Sequence, residues 1–478
     1  MRGRRGVALL GLGLVLVAMV VTPAGAHMGS MSHFWTKHMK PFAAKLFYTK
    51  KQSDARYYTK ASSDARYYTK AGSDARYYTA GAADARFALK GETLDSGLDA
   101  YCSRAAASPR SYPNQICSAP LVVPLDVTGV VGDHASVGIG VDGLPVVSYR
   151  DATNGDLNAD LKILHCGNEA CTAGNQATIV DSPGGVGTDT SLAIGVDGLP
   201  VVSYKDATNF DLKVLHCGNI ACTSGNQATS VDTGPANVGS DTSIAIGADG
   251  LPLVSYADVT NGDLKVLHCG SAACASGNEI NVADPGRVSA DTDTSLAFGA
   301  DGLPVISYYD FDNGDLVILH CGDPLCASGT TTASVDTEQW VGDFSSLAIG
   351  TDGLPVVSYR DGTDGDLSVL HCGNVACTSG NVVTPVDTSA DPLGYHTSIA
   401  IGADGRPVVS YYDGSSNDLK FLRCGNAACT AGNETVTLDT AGTVGQYTSI
   451  ALGADGVPVV AYYDASSGDL KLARPPVS

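Results

Sequence analysis

From residue 121 onward the chain cycles between short apolar runs and clusters of Gly, Asp and Asn, with a period of about 52 residues. Each cycle holds four runs of strand length, such as TSIAIG, PVVSYYD, DLKVLHC and QATSVD, rich in the β-branched and aromatic residues that a pleated surface favours. Asp-Gly follows the first run, and Asn-Gly or a relative follows the second. These pairs tolerate the positive φ that tight hairpins demand. Counting from the Ser that opens each cycle, the copies begin at Ser136, Ser191, Ser243, Ser295, Ser346, Ser398 and Ser449. A four-stranded unit repeated at this length predicts an all-β fold, a seven-bladed β-propeller with one blade per unit.

The ends of the repeat predict how the ring closes. The seventh unit stops after its third run, at KLARPPVS, and LVVPLD (121–126) aligns with the fourth-run segments VVTPVD (382–387) and ETVTLD (434–439). The N-terminal strand is therefore expected to complete the last blade and remove the exposed edges of an open sheet. Residues that recur in every unit read as scaffold: small residues near the axis, Val-Val-Ser-Tyr between blades, and Gly for the turns.

Ahead of the propeller (121–478), the pattern divides the chain into residues 1–26, 27–90 and 91–120. The first segment has a basic start, an apolar run of about 15 residues and an Ala-Gly-Ala end, the layout of a secretory signal cut near Ala26. An uncleaved anchor is the alternative, although the run is short for a bilayer span. No second run of spanning length follows, so no integral span is expected after signal removal. Residues 47–90 repeat every ten residues (FYTKKQSDAR, YYTKASSDAR, YYTKAGSDAR, YYTAGAADAR), a period that fits no coiled coil. They resemble the YYTK…DAR units of phage tail fibres and some bacterial surface proteins. That resemblance implies a multimerising basic stalk and a homo-oligomer; a Tyr-rich basic linker is the other reading. Residues 91–120 read as a connector.

The 14 cysteines fit an oxidising, extracellular setting, secreted or at the cell surface. Twelve form six C-x4-C pairs, Cys166/Cys171, Cys217/Cys222, Cys269/Cys274, Cys321/Cys326, Cys372/Cys377 and Cys424/Cys429, leaving Cys102 and Cys117 for each other. Metal binding competes with disulfides, because His165, His216, His268, His320 and His371 each precede the first Cys. Arg423 replaces that His in the sixth unit while both cysteines stay, which favours disulfides.

Charge narrows the partners. Residues 121–478 carry 43 Asp and Glu against 12 Lys and Arg, a net of −31, whereas residues 27–120 carry 7 against 14, a net of +7. Such an acidic body excludes a nucleic-acid partner for the propeller. No cofactor is required. The acidic turns after the second strand offer calcium ligands, richest at Asp310, Asp312, Asn313 and Asp315, while Asp and Asn that only cap their own turn give the same pattern.

Two positions vary while their surroundings repeat. Before the last Asp of PVVSYxD stand Arg150, Lys205, Ala257, Tyr309, Arg360, Tyr412 and Tyr463; two residues before the opening Ser stand His134, Asp189, Asp241, Asp293, Phe344, His396 and Tyr447. With the first strand innermost, both sets fall on the face of the second-to-third turns and blade crossovers, together with Glu338 and Trp340. Aromatic platforms beside carboxylates suit sugars, and also a basic peptide. These positions are the candidate ligand site, with no catalytic residue assigned.

The unit SIAIGADGxPVVSYYDxxxGDLK resembles the BNR-like or sialidase-like propeller repeats of bacterial secreted proteins. The resemblance implies the fold; true sialidases carry an Asp-box, and they use an arginine triad gripping a carboxylate, a Tyr/Glu nucleophile pair and an acidic residue. Here SIAIGADG lacks the box's Asp and Trp; Arg150 and Arg360 reach the crossover face, Arg406 and Arg423 belong to the opposite one, and Glu338 is the sole Glu in the right region. The reading is a secreted or surface-displayed binding and adhesion protein for a glycan or protein ligand, with a sialidase-like hydrolase or lyase and a structural surface protein without a specific ligand as alternatives.

Overall fold

The computed structural model describes residues 119–476, apart from residues 183, 287, 290, 291, 338, 339, 390 and 391. The expected signal, the stalk, nearly all of the connector, the Cys102–Cys117 pair and Glu338 lie outside the described residues. Among those residues no helix is long and apolar enough to cross a membrane.

Twenty-eight strands, numbered in chain order, form seven four-stranded antiparallel sheets. In the first blade these are β2 (Val131–Ile139), β3 (Pro145–Asp151), β4 (Asp160–His165) and β5 (Gln176–Asp181), from the axis outward. The last sheet has the order β1-β28-β27-β26, with β1 (Leu121–Asp126) outside β28 (Asp469–Arg474), so the N-terminal strand closes the ring as its sequence predicts. Leu121 pairs with Arg474 and Asp126 with Leu470, which places the entry at Leu121 on the Asp-Gly-turn face. The opposite face, holding the second-to-third turns and crossovers, is called the mouth below.

Most first strands begin earlier than the apolar run suggests. β2 starts five residues before Ser136, and its register slips between Asp133 and Ser136. The cause is His134, whose φ is 51°; the corresponding residues of all seven blades have φ between 48° and 53°. This left-handed residue bulges the strand and turns one side chain per blade toward the axis. Gly132 stands two residues earlier at φ +106°, where a Cβ would lie 2.6 Å from Leu470 Cα of the neighbouring blade.

Blades hold together through three repeated contacts. Apolar clusters join neighbours: Val131, Val147 and Tyr149 of the first blade pack with Val459, Ala461, Leu470 and Leu472 of the seventh, so the closing seam resembles the other seams. The opening Ser accepts the amide N–H of the next blade's first strand, from Leu192 N–H to Ser136 Oγ at 3.0 Å around to Val137 N–H to Ser449 Oγ at 3.0 Å. The third contact links the outer strand to the next blade. Asp126 accepts the Tyr149 hydroxyl at 2.8 Å and Lys162 Nζ at 2.5 Å; Asp439 accepts Tyr462 at 2.6 Å and Lys471 at 3.2 Å. The seven equivalent tyrosines, Tyr149, Tyr204, Tyr256, Tyr308, Tyr359, Tyr411 and Tyr462, are fully buried. Burial, and then the facing carboxylate, raise the phenols of Tyr149 and Tyr462 far above the ordinary value.

All six C-x4-C pairs are disulfides, each closed within its own blade: Cys166–Cys171, Cys217–Cys222, Cys269–Cys274, Cys321–Cys326, Cys372–Cys377 and Cys424–Cys429. The pairing agrees with the sequence expectation, and the sulfurs are buried between blades rather than displayed at the hairpin tip. One feature departs from a plain loop closure. The second cysteine of every pair has left-handed backbone: φ is 55° at Cys171, 51° at Cys222, 47° at Cys274, 50° at Cys326, 51° at Cys377 and 52° at Cys429. Such a residue is ordinarily Gly or Asn, so the pattern of residue types hides this turn.

A side-chain clamp accompanies it. The amide of an Asn four residues on donates to the cysteine carbonyl, from Asn175 to Cys171, Asn226 to Cys222 and Asn433 to Cys429, each at 2.6 Å, and from Asn278 to Cys274 at 2.7 Å. Thr330 takes that place after Cys326. The preceding histidines turn away from sulfur to the Asp of their own blade's Asp-Gly turn, as in His165 Nε2 to Asp142 Oδ2 at 2.9 Å and His268 Nε2 to Asp249 Oδ2 at 2.7 Å. The three-ligand alternative is thereby replaced by a staple beside a His–Asp pair.

Candidate functional site at the axial mouth

The seven left-handed residues of the first strands meet around a cavity of about 170 Å³, whose wall they share with the Ala, Thr or Ser that follows each of them. Those hydroxyls face backward and anchor the bulge: Thr242 Oγ1 donates to the Asp189 carbonyl at 3.0 Å and lies 2.6 Å from the buried Ser203 Oγ. The side chain before it is left to face the axis. Left-handed φ is tolerable for Asp and His but strains Phe and Tyr.

At Phe344 and Tyr447 ring packing offsets that strain. Phe344 lies 4.7 Å from His396, His396 lies 4.5 Å from Tyr447, and Tyr447 lies 4.4 Å from His134, between centroids. These four rings form one continuous arc. His134 Nδ1 then meets Asp189 Oδ1 at 3.0 Å, where the acidic arc begins. Its carboxylates are held by main chain: Asp189 Oδ2 accepts Asp241 N–H at 3.1 Å, Asp241 Oδ2 accepts Thr292 N–H at 2.9 Å, and Asp293 Oδ2 accepts Phe344 N–H at 2.9 Å.

Electrostatics follow from this enclosure. Burial pushes Asp189 up, but the hydrogen bond and charge of His134, the Asp241 N–H and the charge of Lys205 outweigh it and hold the carboxyl below its ordinary value. Burial, then the neighbouring His134, lower His396 to about 3, so it is a neutral imidazole at physiological pH. Burial and the charges of Asp133 and Asp189 raise Tyr447 to about 12. Lys205, whose Nζ donates to Ser240 Oγ at 2.5 Å, is lowered by burial despite Asp189 and Asp241.

The other varying set sits one strand farther out and does not line the cavity. Strand pairing explains this: Arg150 stands opposite Asp133, and Arg360 opposite Asp343, on the same sheets. Arg150 bonds Asp133 and Asp156, both at 2.7 Å, and Arg360 reaches Asp343 at 3.3 Å while lying 4.5 Å over the Tyr395 ring. Both guanidinium groups are thus neutralised within their own blade. Tyr412 donates to Asn417 Oδ1 at 2.6 Å and packs 6.2 Å from Tyr395; Tyr463 lies 6.4 Å from Tyr447. Burial, before any charge, raises the phenols of Tyr309, Tyr412 and Tyr463. The sequence pattern does not single out Asp133, Asp343 and Tyr395, although all three vary one residue ahead of the ring position.

Asp310, Asp312, Asn313 and Asp315 do share one turn. Asp310 is fully buried, and its carboxylate accepts the N–H groups of Asp312 and Asn313 at 3.1 and 3.2 Å and the Asn313 amide at 2.9 Å. Asp258 and Asp413 cap their turns the same way. Among the described residues no group of three or more His, Cys, Asp or Glu is arranged to hold a metal ion. Trp340 is two-thirds exposed on the crossover into the fifth blade.

No protein-family model matches the chain, and a search of curated proteins returns no match. Among solved structures, the BP39L lectin from Burkholderia pseudomallei is similar at 14% identity and a TM-score of 0.51, over 73% of this chain and 98% of that one. An α-L-arabinofuranosidase of Fusarium graminearum is similar at 10% identity and 0.46, over 74% and 96% of the two chains. The Hadza microbial sialidase Hz136 is similar at 10% and 0.42, over 73% and 66%. Likeness at such identities concerns the β-propeller fold alone.

Proposed function

We propose that the chain is a secreted or surface-displayed binding protein whose propeller receives a glycan at the axial mouth. One observation carries this reading: seven equivalent left-handed residues are turned into one cavity by a uniform scaffold, yet they sort into an aromatic and imidazole arc facing a carboxylate arc. A sugar ring matches that division, with an apolar face for the aromatics and hydroxyls for fixed acceptors. Three carboxylates on an acidic body favour neutral or amino sugars over acidic ones. The disulfides fit an extracellular setting, and the reading of residues 1–26 as an export signal and 27–90 as a stalk belongs to the same proposal. Leu121 enters the propeller on the face away from the mouth.

Binding is favoured over turnover. Asp189 is held ionised, which disqualifies it as a general acid near neutrality, and the two mouth-side arginines are ion-paired rather than presented to a ligand. The test is a glycan array read for retained ligand and released product together. Retention without product supports the reading, and product release transfers the site to an enzyme.

A further inference from the structure

We infer that the mouth carries a second, outer sugar subsite on the rim between the fourth and fifth blades, built from Phe311 and Trp340, so that the ligand is an oligosaccharide whose terminal unit occupies the axial cavity. This rests on the glycan reading above. The cavity's 170 Å³ matches the share of about six liquid waters. One sugar unit fills such a space, and a longer ligand must leave across the rim.

Only part of the rim is furnished for that exit. Phe311 opens the turn after β15 (Pro304–Asp310) and is 58% exposed, where other blades have Ala152, Ala207, Val259, Gly362, Gly414 and Ala465. Trp340, 67% exposed, precedes β18 (Val341–Ile349), where other blades have Val130, Gly185, Asn237, Pro392 and Thr443. Its φ of 65° is a strained conformation for a large side chain, and exposure returns no packing for it.

The backbone nevertheless fixes this residue from both sides. Gly362 N–H donates to the Trp340 carbonyl at 2.7 Å, and Val341 N–H donates to the Gly314 carbonyl of the turn that carries Phe311, at 3.0 Å. Gly362 is small for this reason: a Cβ there would lie 2.7 Å from the Trp340 oxygen. Phe311 stands 6.5 Å from Tyr309 of the outer varying set and perpendicular to it, and exposed Asp312 beside it supplies an acceptor for hydroxyls. Two exposed rings on pinned backbone beside a carboxylate form a sugar-stacking platform.

Phe210 serves as the control. It is 49% exposed with φ 62°, at the position of Gly262 and Gly314, but stands in the second blade, outside this cluster.

The experiment is calorimetric titration of the full oxidised protein with gluco-, manno-, galacto-, glucosamine and N-acetylglucosamine ladders, from monosaccharide to hexasaccharide. Affinity is expected to rise about tenfold, equivalent to about 1.4 kcal/mol, between one unit and three. Trp340→Ala and Phe311→Ala should lose that rise with unchanged melting temperatures, and Phe210→Ala should keep it. Length-independent binding, or a rise that both rim variants retain, overturns the outer subsite and leaves the axial reading standing. No binding of any ladder overturns both.

Discussion

His134 of the first blade and Asp189 of the second stand 3.0 Å apart across the axial ring, and this pair joins the aromatic arc to the carboxylate arc. Both side chains are mostly enclosed, so the contact is screened less than a surface pair would be. Asp189→Asn keeps an acceptor for the Asp241 N–H and removes the charge. The variant should fold, lose about 1 kcal/mol in urea denaturation, and bind the mouth ligand several-fold more weakly; an unchanged midpoint would mean the pair is not coupled.

His396 makes stability fall on mild acidification. Its pKa is depressed to about 3 in the folded chain, against 6.5 when unfolded. Between those values the unfolded chain binds more protons, so stability is fully present above about pH 6.5 and is lost as pH falls toward 3. From pH 7 to pH 5 the loss is about 1–2 kcal/mol, and His396→Phe should remove most of it. Parallel pH slopes for the two proteins would contradict the burial assigned to this ring.

The inter-blade carboxylates differ in a way that predicts unequal costs. Asp126 serves both Tyr149 and Lys162, whereas Asp336 serves Tyr359 at 2.6 Å and the lysine position of that blade is Ser368. Asp126→Ala should cost about 3 kcal/mol, because it orphans a buried hydroxyl and weakens a buried ammonium at the closing seam. Asp336→Ala should cost about 1–2. Equal losses in thermal or urea unfolding would show that the lysine adds nothing to the seam.

Much of this architecture was legible in the sequence because it is local. Asp-Gly and Asn-Gly turns, strand-length apolar runs and the kinship of LVVPLD with VVTPVD suffice to place the strands and the closing seam, and the C-x4-C spacing suffices to pair the cysteines. The axial ring stands out through variation against a repeating background. Its geometry does not, since nothing about His, Asp, Phe or Tyr as residue types announces φ near 50°, although the Gly two residues ahead is a signal. The left-handed turn at Cys171 and its six-fold repeat is hidden for the same reason, with only Asn175 and its equivalents four residues on to hint at a clamp. Nor can the strand pattern show that Arg150 and Arg360 are neutralised, because Asp133 and Asp343 lie 17 residues earlier and meet them through register. The bonds from Tyr149 and Lys162 to Asp126 likewise span blades and appear in one dimension only as repeated letters.

Reduction of the C-x4-C staples should be mild. Removing Cys372 and Cys377 together as serines should cost about 2 kcal/mol or less, because so short a loop constrains the unfolded chain little. His371, paired with Asp352 at 2.9 Å, and Asn381, bonded to the Cys377 carbonyl at 2.6 Å, should keep the hairpin in place. A loss of folding would assign the staple a larger role.

The most direct test of the axial site is glycan-array binding by the oxidised protein and by its Tyr447→Ala and His396→Ala variants, with melting curves to confirm folding. Retention of neutral or amino sugars by the native protein, lost by at least tenfold in folded variants, is the predicted result. Retention that both folded variants preserve, or a preference for acidic sugars, would contradict it.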